Sequence, residues 1–387
     1  MTHPLAARIA QIEPFHVMEL LQRARELEAA GRSIVHMEIG EPDFPTAEPV
    51  VAAGIRALQE GRTVYTAAAG LPALREAIAG HYLDRYGQAV DPGRIFVTPG
   101  GSGALLLALA LLVEAGQEVL LPDPGYPCNR HFVRVLNGIP RSIPVGPEQH
   151  YQLQAADVAR HWGPRTVALM AASPSNPTGT LLADEELSAL AAAVRERGGA
   201  LIVDEIYHGL TYGIEPASAV RLPAFVVNSF SKYFGMTGWR LGWLVVPDGY
   251  QRAAEKLAQN VFISASTPAQ HAALACFTDA ARTVFEERRQ AFAVRRDYLL
   301  PALQDLGFRV HTEPQGAFYL YADCSGLAKD SFELSRRLLE EAGVAVTPGL
   351  DFGSHAADRH VRFAYTNALP NLQEGVRRIA QFLEQGH

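Results

Sequence analysis

At 387 residues, with 48% hydrophobic and 19% charged residues, the chain is long enough for a large core and has an ordinary globular composition. Its formal net charge of −7 argues against nucleic-acid binding, which usually requires a basic excess or a clustered basic face. Neither a disulfide framework nor a metal site is expected, because the three cysteines (Cys128, Cys276 and Cys324) are far apart and the histidines lack metal-binding spacing.

The first residues, MTHPLAARIAQIEPF, carry Arg8 and Glu13 where a signal peptide requires an apolar core. The longest apolar run, residues 104–113, is too short to span a bilayer. We therefore expect a cytoplasmic protein that does not bind membranes. Residues 14–30 then predict an amphipathic helix that is closed by Gly31.

From about residue 46 onward, short apolar runs alternate with longer helical stretches. The apolar runs are mostly continuous, as in strands that are covered on both faces of a sheet. Strands are predicted over residues 94–98, 118–122, 166–171, 200–205, 224–229 and 241–246. Helices are predicted between them, for example over residues 102–114 and 184–197. This alternation predicts an α/β domain with a mostly parallel central sheet.

The C-terminal part of the chain predicts a smaller α+β domain. A long charged helix is expected over residues 281–306, and a further helix near 331–342. Apolar segments lie around them: FRVHT (308–312), GAFYLYA (316–322), VAVTPG (344–349) and HVRFAYT (360–366). We predict a large domain of residues 46–282 and a small domain made of residues 1–45 and 283–387.

Ligands of open α/β sheets bind outside the carboxyl ends of the strands, so the residues that follow each apolar run are candidates. The first predicted strand leads into PGGSG and a helix, where Gly101 and Ser102 offer donors to an anion. The same loop is also typical of a plain strand-to-helix turn, and it satisfies neither nucleotide-binding fingerprint.

The next strands are followed by aromatic, amide and acidic side chains. Tyr126, in DPGYP, follows the second predicted strand, and Asn176, in SNPTG, follows the third. Asp204 closes the fourth, with Tyr207 three residues further on. An aspartate at this position is also a common helix N-cap, and most Asn-Pro pairs are plain turns.

The fifth strand is followed by NSFSKYFGMTGWRLGW (228–243), which carries two hydroxyls, an amine and a guanidinium. These groups belong to Ser229, Ser231, Lys232 and Arg240. Pyridoxal 5′-phosphate requires such a set: a lysine for a Schiff base, donors for the phosphate, a carboxylate for the ring nitrogen, a donor for the phenolic oxygen and an aromatic ring to stack on it. Since each group occurs at a strand end, we predict this cofactor.

In order and spacing these motifs resemble the class I/II aminotransferases, the fold-type I pyridoxal-phosphate-dependent enzymes of the aspartate aminotransferase type. The likeness covers nearly the whole chain and includes GEPDF (40–44), Tyr65, PQGAFYL (314–320) and VRFAY (361–365). It implies a large domain with a mostly parallel sheet and a smaller α+β domain. At positions 47 and 103 the family often has other residues than the Ala47 and Gly103 found here, but neither position belongs to the catalytic groups.

The resemblance also implies a role for each cofactor-binding side chain. Lys232 would form the internal aldimine and then act as the base, while Asp204 would pair with the pyridine nitrogen. Tyr126 would stack on the ring, and Tyr207 and Asn176 would bond to its phenolic oxygen.

Two further anion sites follow from the resemblance. The phosphate would be held by Gly101, Ser102, Ser229, Ser231 and Arg240. Tyr65 would reach that phosphate from the neighbouring subunit, which implies a homodimer with shared active sites. The substrate α-carboxylate would be bound by Gly40, Asn176 and Arg362.

The implied activity moves an amino group from an L-amino acid to a 2-oxo acid by ping-pong chemistry. Aspartate-specific members often carry a basic residue where this chain has Ser102, and no arginine near residues 259–267 resembles a dicarboxylate-binding one. We therefore expect neutral or aromatic amino acids as substrates, with Phe15, Ile39 and Tyr65 lining the pocket.

Two alternatives stay open at this point. A cysteine-conjugate β-lyase of the same fold would use the same Lys232, Asp204 and Arg240. A non-catalytic aminotransferase-like regulator would need a DNA-binding segment before the domain, where we expect none.

Overall fold

The computed structural model describes residues 5–385 of the chain. Its helices are α1 (His16–Ala29), α2 (Glu48–Gln59), α3 (Pro72–Tyr86), α4 (Gly100–Leu112), α5 (Pro127–Val135), α6 (Ala155–His161), α7 (Asp184–Glu196), α8 (Gln251–Val261), α9 (Thr267–Ala273), α10 (Asp279–Asp305), α11 (Ser331–Arg337) and α12 (Leu369–Glu384). Its strands are β1 (Val35–His36), β2 (Ile95–Thr98), β3 (Glu118–Asp123), β4 (Ile139–Pro144), β5 (Thr166–Ala172), β6 (Ala200–Asp204), β7 (Ala224–Ser229), β8 (Gly242–Val245), β9 (Tyr319–Asp323), β10 (Val344–Ala345), β11 (Thr347–Pro348) and β12 (His360–Ala364).

The central sheet has seven strands in the order β2-β8-β7-β6-β5-β3-β4. Strand β8 runs antiparallel to both of its neighbours, and all other neighbouring pairs are parallel. The predicted mostly parallel α/β sheet is therefore confirmed, and the six predicted strands end within one residue of the observed ones. Because β2 and β3 to β7 point the same way, the loops after β2, β3, β5, β6 and β7 meet at one edge.

In the central strands other than the edge strand β4, alternate residues pack into different hydrophobic clusters. In β6, Leu201 and Val203 belong to a cluster on one face of the sheet, whereas Ile202 belongs to a cluster that includes the leucines of α4. Both faces of the sheet are thus covered by apolar side chains. This explains why the sequence shows continuous apolar runs instead of the alternation of a half-exposed sheet.

Strand β4 was missed by the sequence analysis. It reads IPRSIP, and most of its side chains are partly or fully exposed at the edge of the sheet, where it pairs in parallel with β3. Two prolines and only two isoleucines give no apolar run, and proline is tolerated mainly on edge strands because it cannot donate to the ladder.

The C-terminal residues form a three-stranded antiparallel sheet in the order β11-β12-β9, and β1 pairs in parallel with β10. The apolar segment 308–312 forms no strand, and only Arg309 there makes an isolated bridge, to Asp323. Helix α10 runs without a break through residue 282, and the domain limits at 45/46 and 282/283 stay a prediction. Across residues 5–385, none of the helices has the length and apolarity needed to cross a membrane.

Candidate active site

A cavity of about 360 Å³ lies where the loops after the central strands meet. Eight of the residues predicted to bind the cofactor line it: Gly101, Ser102, Tyr126, Asp204, Ser229, Ser231, Lys232 and Arg240. The cavity is also lined by residues to which the sequence analysis gave no role: Glu41, Leu105, Ile206, Thr237 and Gly238. Tertiary folding therefore brings together side chains from loops that are far apart in sequence.

One end of the cavity is rich in hydrogen-bond donors. Helix α4 begins at Gly100, two residues earlier than predicted, so its first turn presents the glycine-rich backbone to the cavity. The Arg240 guanidinium packs against that turn, because a Cβ on Gly100 would lie 2.4 Å from Arg240 Nη2. Arg240 Nη1 is 3.4 Å from the Ser231 hydroxyl, and the Ser229 hydroxyl lies 3.1 Å from the backbone nitrogen of Ser231. Such a donor set suits a phosphate.

Asp204 is the last residue of β6 and is only 3% exposed. Its Oδ1 accepts a hydrogen bond of 3.1 Å from the backbone N–H of Ile206. Burial raises the pKa of Asp204 to about 7, although the Ile206 N–H and the charge of Lys232 oppose this rise. A buried carboxylate with so few partners is costly as an anion, and a cation placed against it would remove that cost.

Lys232 lies in the loop after β7, with its amine inside the cavity. Its Nζ donates a hydrogen bond of 2.7 Å to the carbonyl oxygen of Gly40. Burial and the nearby Arg362 and Arg240 cations lower the pKa of Lys232 to about 8, against the opposing charges of Glu41 and Asp204. The neutral, nucleophilic form of this amine is therefore much more populated near neutral pH than in an ordinary lysine.

Arg362 lies on β12 and is only 4% exposed. Its Nη1 donates to Asn176 Oδ1 at 2.9 Å, and its Nη2 donates to the carbonyl oxygen of Glu38 and to the hydroxyl of Thr347. The guanidinium Nε is buried and has no hydrogen-bond partner among the described residues. Asn176 and Arg362, which were both predicted to bind the substrate carboxylate, are thus in direct contact, and the N–H on Nε of the arginine is left for a ligand.

Two buried tyrosines meet beside this arginine. The hydroxyls of Tyr207 and Tyr319 are 2.9 Å apart, and burial raises the pKa of both phenols. Tyr319 and Phe352 place their rings against the Arg362 guanidinium, with centroids 4.2 and 4.8 Å from its carbon. Tyr319 belongs to the PQGAFYL motif but had no predicted role, and Phe352 lies outside the motifs that carry the family resemblance.

The other predicted residues do not line this cavity in the single chain: Gly40, Asn176, Tyr207, Arg362, Tyr65, Phe15 and Ile39. Of these, Tyr65 is 79% exposed. Glu41, in the GEPDF motif, accepts a hydrogen bond of 2.6 Å from the Thr237 hydroxyl and so ties that motif to the loop after Lys232. Within residues 5–385 no group of three or more His, Cys, Asp or Glu side chains could hold a metal ion.

The mostly parallel sheet and the lysine-containing cavity at its carboxyl edge define a fold-type I transferase. The crystal structure of an aminotransferase from Mycobacterium tuberculosis is similar to it, with 38% identity, a TM-score of 0.96 and coverage of 99% of this chain and 100% of that one. Residues 32–379 match the family described as aminotransferase class I and II. The chain belongs to this aminotransferase family, whose members use pyridoxal phosphate.

Curated relatives agree on the activity but differ in their substrates. A valine–pyruvate aminotransferase of Mycobacterium tuberculosis is 38% identical over 387 residues, 99% of each chain. An aspartate/prephenate aminotransferase of Thermus thermophilus is 37% identical over 384 residues, 98% of each chain. The predictions of family, fold class and aminotransferase activity are therefore confirmed, whereas the comparisons give the β-lyase alternative no support.

Proposed function

We propose that this aminotransferase moves the amino group of an L-amino acid with a neutral or aromatic side chain to a 2-oxo acid by ping-pong chemistry, with pyridoxal 5′-phosphate as its cofactor. The observation that carries the proposal is the cavity in which the partly buried amine of Lys232 lies with the carboxylate of Asp204 and the guanidinium of Arg240. These groups match the aldehyde, the ring nitrogen and the phosphate of the cofactor in turn.

The cofactor, when bound, supplies an electron sink that stabilises negative charge on the substrate α-carbon. Lys232 would carry the covalent link to the cofactor, and its Nζ, once freed, would take the proton from the substrate α-carbon. Asp204 would hold a proton on the ring nitrogen through its negative charge, which a partner cation would stabilise in this buried position. Tyr207 and Asn176 would donate to the phenolic oxygen, and the ring of Tyr126 would stack on the cofactor.

Arg362 binds and orients the α-carboxylate of the substrate together with Asn176 and the backbone of Gly40. Two aromatic rings pack against its guanidinium, and its buried Nε has no hydrogen-bond partner among residues 5–385. The desolvated surroundings strengthen its attraction for a carboxylate and keep water away from the reacting carbon.

The choice of substrate rests on what lies around this carboxylate site. Ser102 brings no positive charge to the cavity, and the rings of Tyr319 and Phe352 pack against the Arg362 guanidinium. Relatives of nearly equal identity are named for valine with pyruvate and for aspartate with prephenate, so their names alone do not choose between substrates. A panel of amino-acid donors with pyruvate or 2-oxoglutarate tests this part, and aspartate as the clear best donor would overturn it.

The proposal includes a homodimer in which Tyr65 of one subunit completes the phosphate site of the other, in the cytoplasm. In support, Val64 and Tyr65 are 74% and 79% exposed in a single chain, an unusual position for two adjacent large side chains. Light scattering should give twice the mass of 42.0 kDa. Tyr65→Phe should then weaken cofactor binding although Tyr65 does not line its own cavity.

Borohydride reduction followed by peptide mapping tests the cofactor and its lysine. We expect a pyridoxyl label on Lys232, none in Lys232→Ala, and turnover of the amino acid only when a 2-oxo acid is supplied. A label on another lysine would overturn the site. Release of pyruvate and ammonia without an added 2-oxo acid would instead indicate a β-lyase.

A further inference from the structure

Tyr319 touches three separate parts of the candidate site. It begins β9, pairs with Ala364 of the neighbouring strand β12, and is only 1% exposed. Its ring covers one face of the Arg362 guanidinium at 4.2 Å, while its hydroxyl lies 2.9 Å from that of Tyr207. A Cβ on Gly40 would come within 1.9 Å of the same hydroxyl, so the GEPDF segment is shaped around this oxygen.

The ring contact fixes the plane of Arg362. With the rings of Tyr319 and Phe352 packed 4.2 and 4.8 Å from its central carbon, the guanidinium offers its donors to acceptors through the N–H groups at its edge. Two of its nitrogens already donate to protein acceptors, and its free Nε remains for a carboxylate. The aromatic ring thereby fixes the direction in which the unpaired Nε–H of Arg362 points.

The hydroxyl contact fixes the direction of the Tyr207 proton. Each phenol has one proton, so one of the two hydroxyls donates and the other accepts. The positive charge of Arg362 lies over the ring of Tyr319 and makes its phenol the stronger donor, because it stabilises negative charge on that ring. When Tyr319 donates, the proton of Tyr207 is left free for a second acceptor, and the Tyr207 ring lies 5.8 Å from the Lys232 amine.

We infer that Tyr319 is a positioning residue that couples the cofactor half of the site to the substrate half. Its hydroxyl donates to Tyr207 and directs the Tyr207 proton toward the phenolic oxygen of the cofactor, while its ring orients Arg362 toward the substrate carboxylate. This inference rests on the proposed function, since it concerns how Tyr207 and Arg362 meet the cofactor and the amino acid.

The test compares wild type with Tyr319→Phe, Tyr319→Leu and Tyr365→Phe, all reconstituted with pyridoxal 5′-phosphate. Tyr365→Phe is the matched control, because it also removes a buried hydroxyl, one that contacts the Ala317 carbonyl and not Tyr207 or Arg362. Three quantities are measured for each protein: the pH midpoint of the absorbance change of the bound cofactor, KM for the amino acid, and Tm.

Tyr319→Phe should raise the pH midpoint by a few tenths of a pH unit and leave KM within about twofold of wild type. A Tyr207 that no longer accepts a hydrogen bond is a weaker donor to the phenolic oxygen of the cofactor. That oxygen then carries more negative charge, so the proton next to it is lost only at a higher pH. Tyr319→Leu should raise the midpoint and also raise KM by about 3- to 30-fold, since the ring over Arg362 is lost. The control should leave both quantities unchanged.

Three outcomes decide the matter. A pH midpoint above that of wild type in both Tyr319 variants, with a raised KM only in Tyr319→Leu, supports the inference. A midpoint equal to that of wild type in Tyr319→Phe, with only Tm lowered as in Tyr365→Phe, overturns it and leaves the proposed function intact. A wild-type protein in which reduction does not label Lys232 overturns the proposed function, and this inference with it.

Discussion

Replacing Asp204 by asparagine should make the cofactor-free protein more stable while weakening its affinity for pyridoxal phosphate. The substitution removes the charge but keeps the shape, and the asparagine Oδ1 can still accept from the Ile206 N–H. The two effects have opposite signs because the buried carboxylate lacks a cationic partner until the ring nitrogen is placed against it. Most substitutions of a buried charged residue destabilise, so a gain in stability is a discriminating result.

The magnitude follows from the pKa of Asp204, which burial raises from 3.8 to about 7. A rise of about 3 pH units corresponds to at most about 4 kcal/mol. Between these two values the folded state holds a proton that the unfolded state has lost, so the stability of wild type falls as pH rises from about 4 to about 7. The free energy of unfolding of wild type stays reduced above pH 7. The asparagine variant lacks the titrating carboxyl and does not show this decrease.

The assay is urea unfolding of the cofactor-free proteins at pH values from 5 to 8. The variant should be more stable than wild type by an amount that grows with pH and approaches about 4 kcal/mol at pH 8. Titration with pyridoxal phosphate should then show a dissociation constant about 10- to 100-fold higher in the variant, because one charge-assisted bond is lost. Glu205→Gln is the matched control: Glu205 is also buried, but it accepts from Ser218 and Ala219 and does not line the cavity.

Either of two results would contradict this role of Asp204. A cofactor-free Asp204→Asn protein that is less stable than wild type at pH 8 would show that the carboxylate is already well paired. An unchanged affinity for pyridoxal phosphate would show that Asp204 does not face the ring nitrogen. Glu205→Gln should leave that affinity unchanged in both cases.

Three further predictions concern neighbouring contacts. Arg362→Lys should raise KM for the amino acid about 10- to 100-fold, because an ammonium cannot reproduce the stacked, planar set of donors; an unchanged KM would place the carboxylate elsewhere. Gly40→Ala should cost about 1–3 kcal/mol in urea unfolding, since its Cβ would meet the Tyr319 hydroxyl, and adding Tyr319→Phe should recover part of that loss. Asp351→Ala should lower stability by about 1 kcal/mol, seen as a lower Tm, because Asp351 accepts from the Val17 N–H at the start of α1; an unchanged Tm would count against this cap.

The sequence by itself determined the sheet and the kinds of group at its carboxyl edge. Continuous apolar runs identified six of the seven central strands. A strand that is buried on both faces is apolar at successive positions, so it can be recognised without knowing which strands it pairs with. Lys232, Asp204 and Arg240 were found because each follows such a run within a short motif. Strand β4 was not predicted, because its prolines and exposed positions give no apolar run. Its place in the sheet depends on pairing with β3.

Only the tertiary structure decided which distant groups meet. Arg362 reaches Asn176 across 186 residues, Tyr319 reaches Tyr207 across 112, and Lys232 reaches Gly40 across 192. Local patterns predict which face of a strand is buried, but they do not say which side chain of another strand will lie against it. The lowered pKa of Lys232 and the raised pKa of Asp204 arise in the same way, since both follow from burial beside charges that only the folded chain brings near.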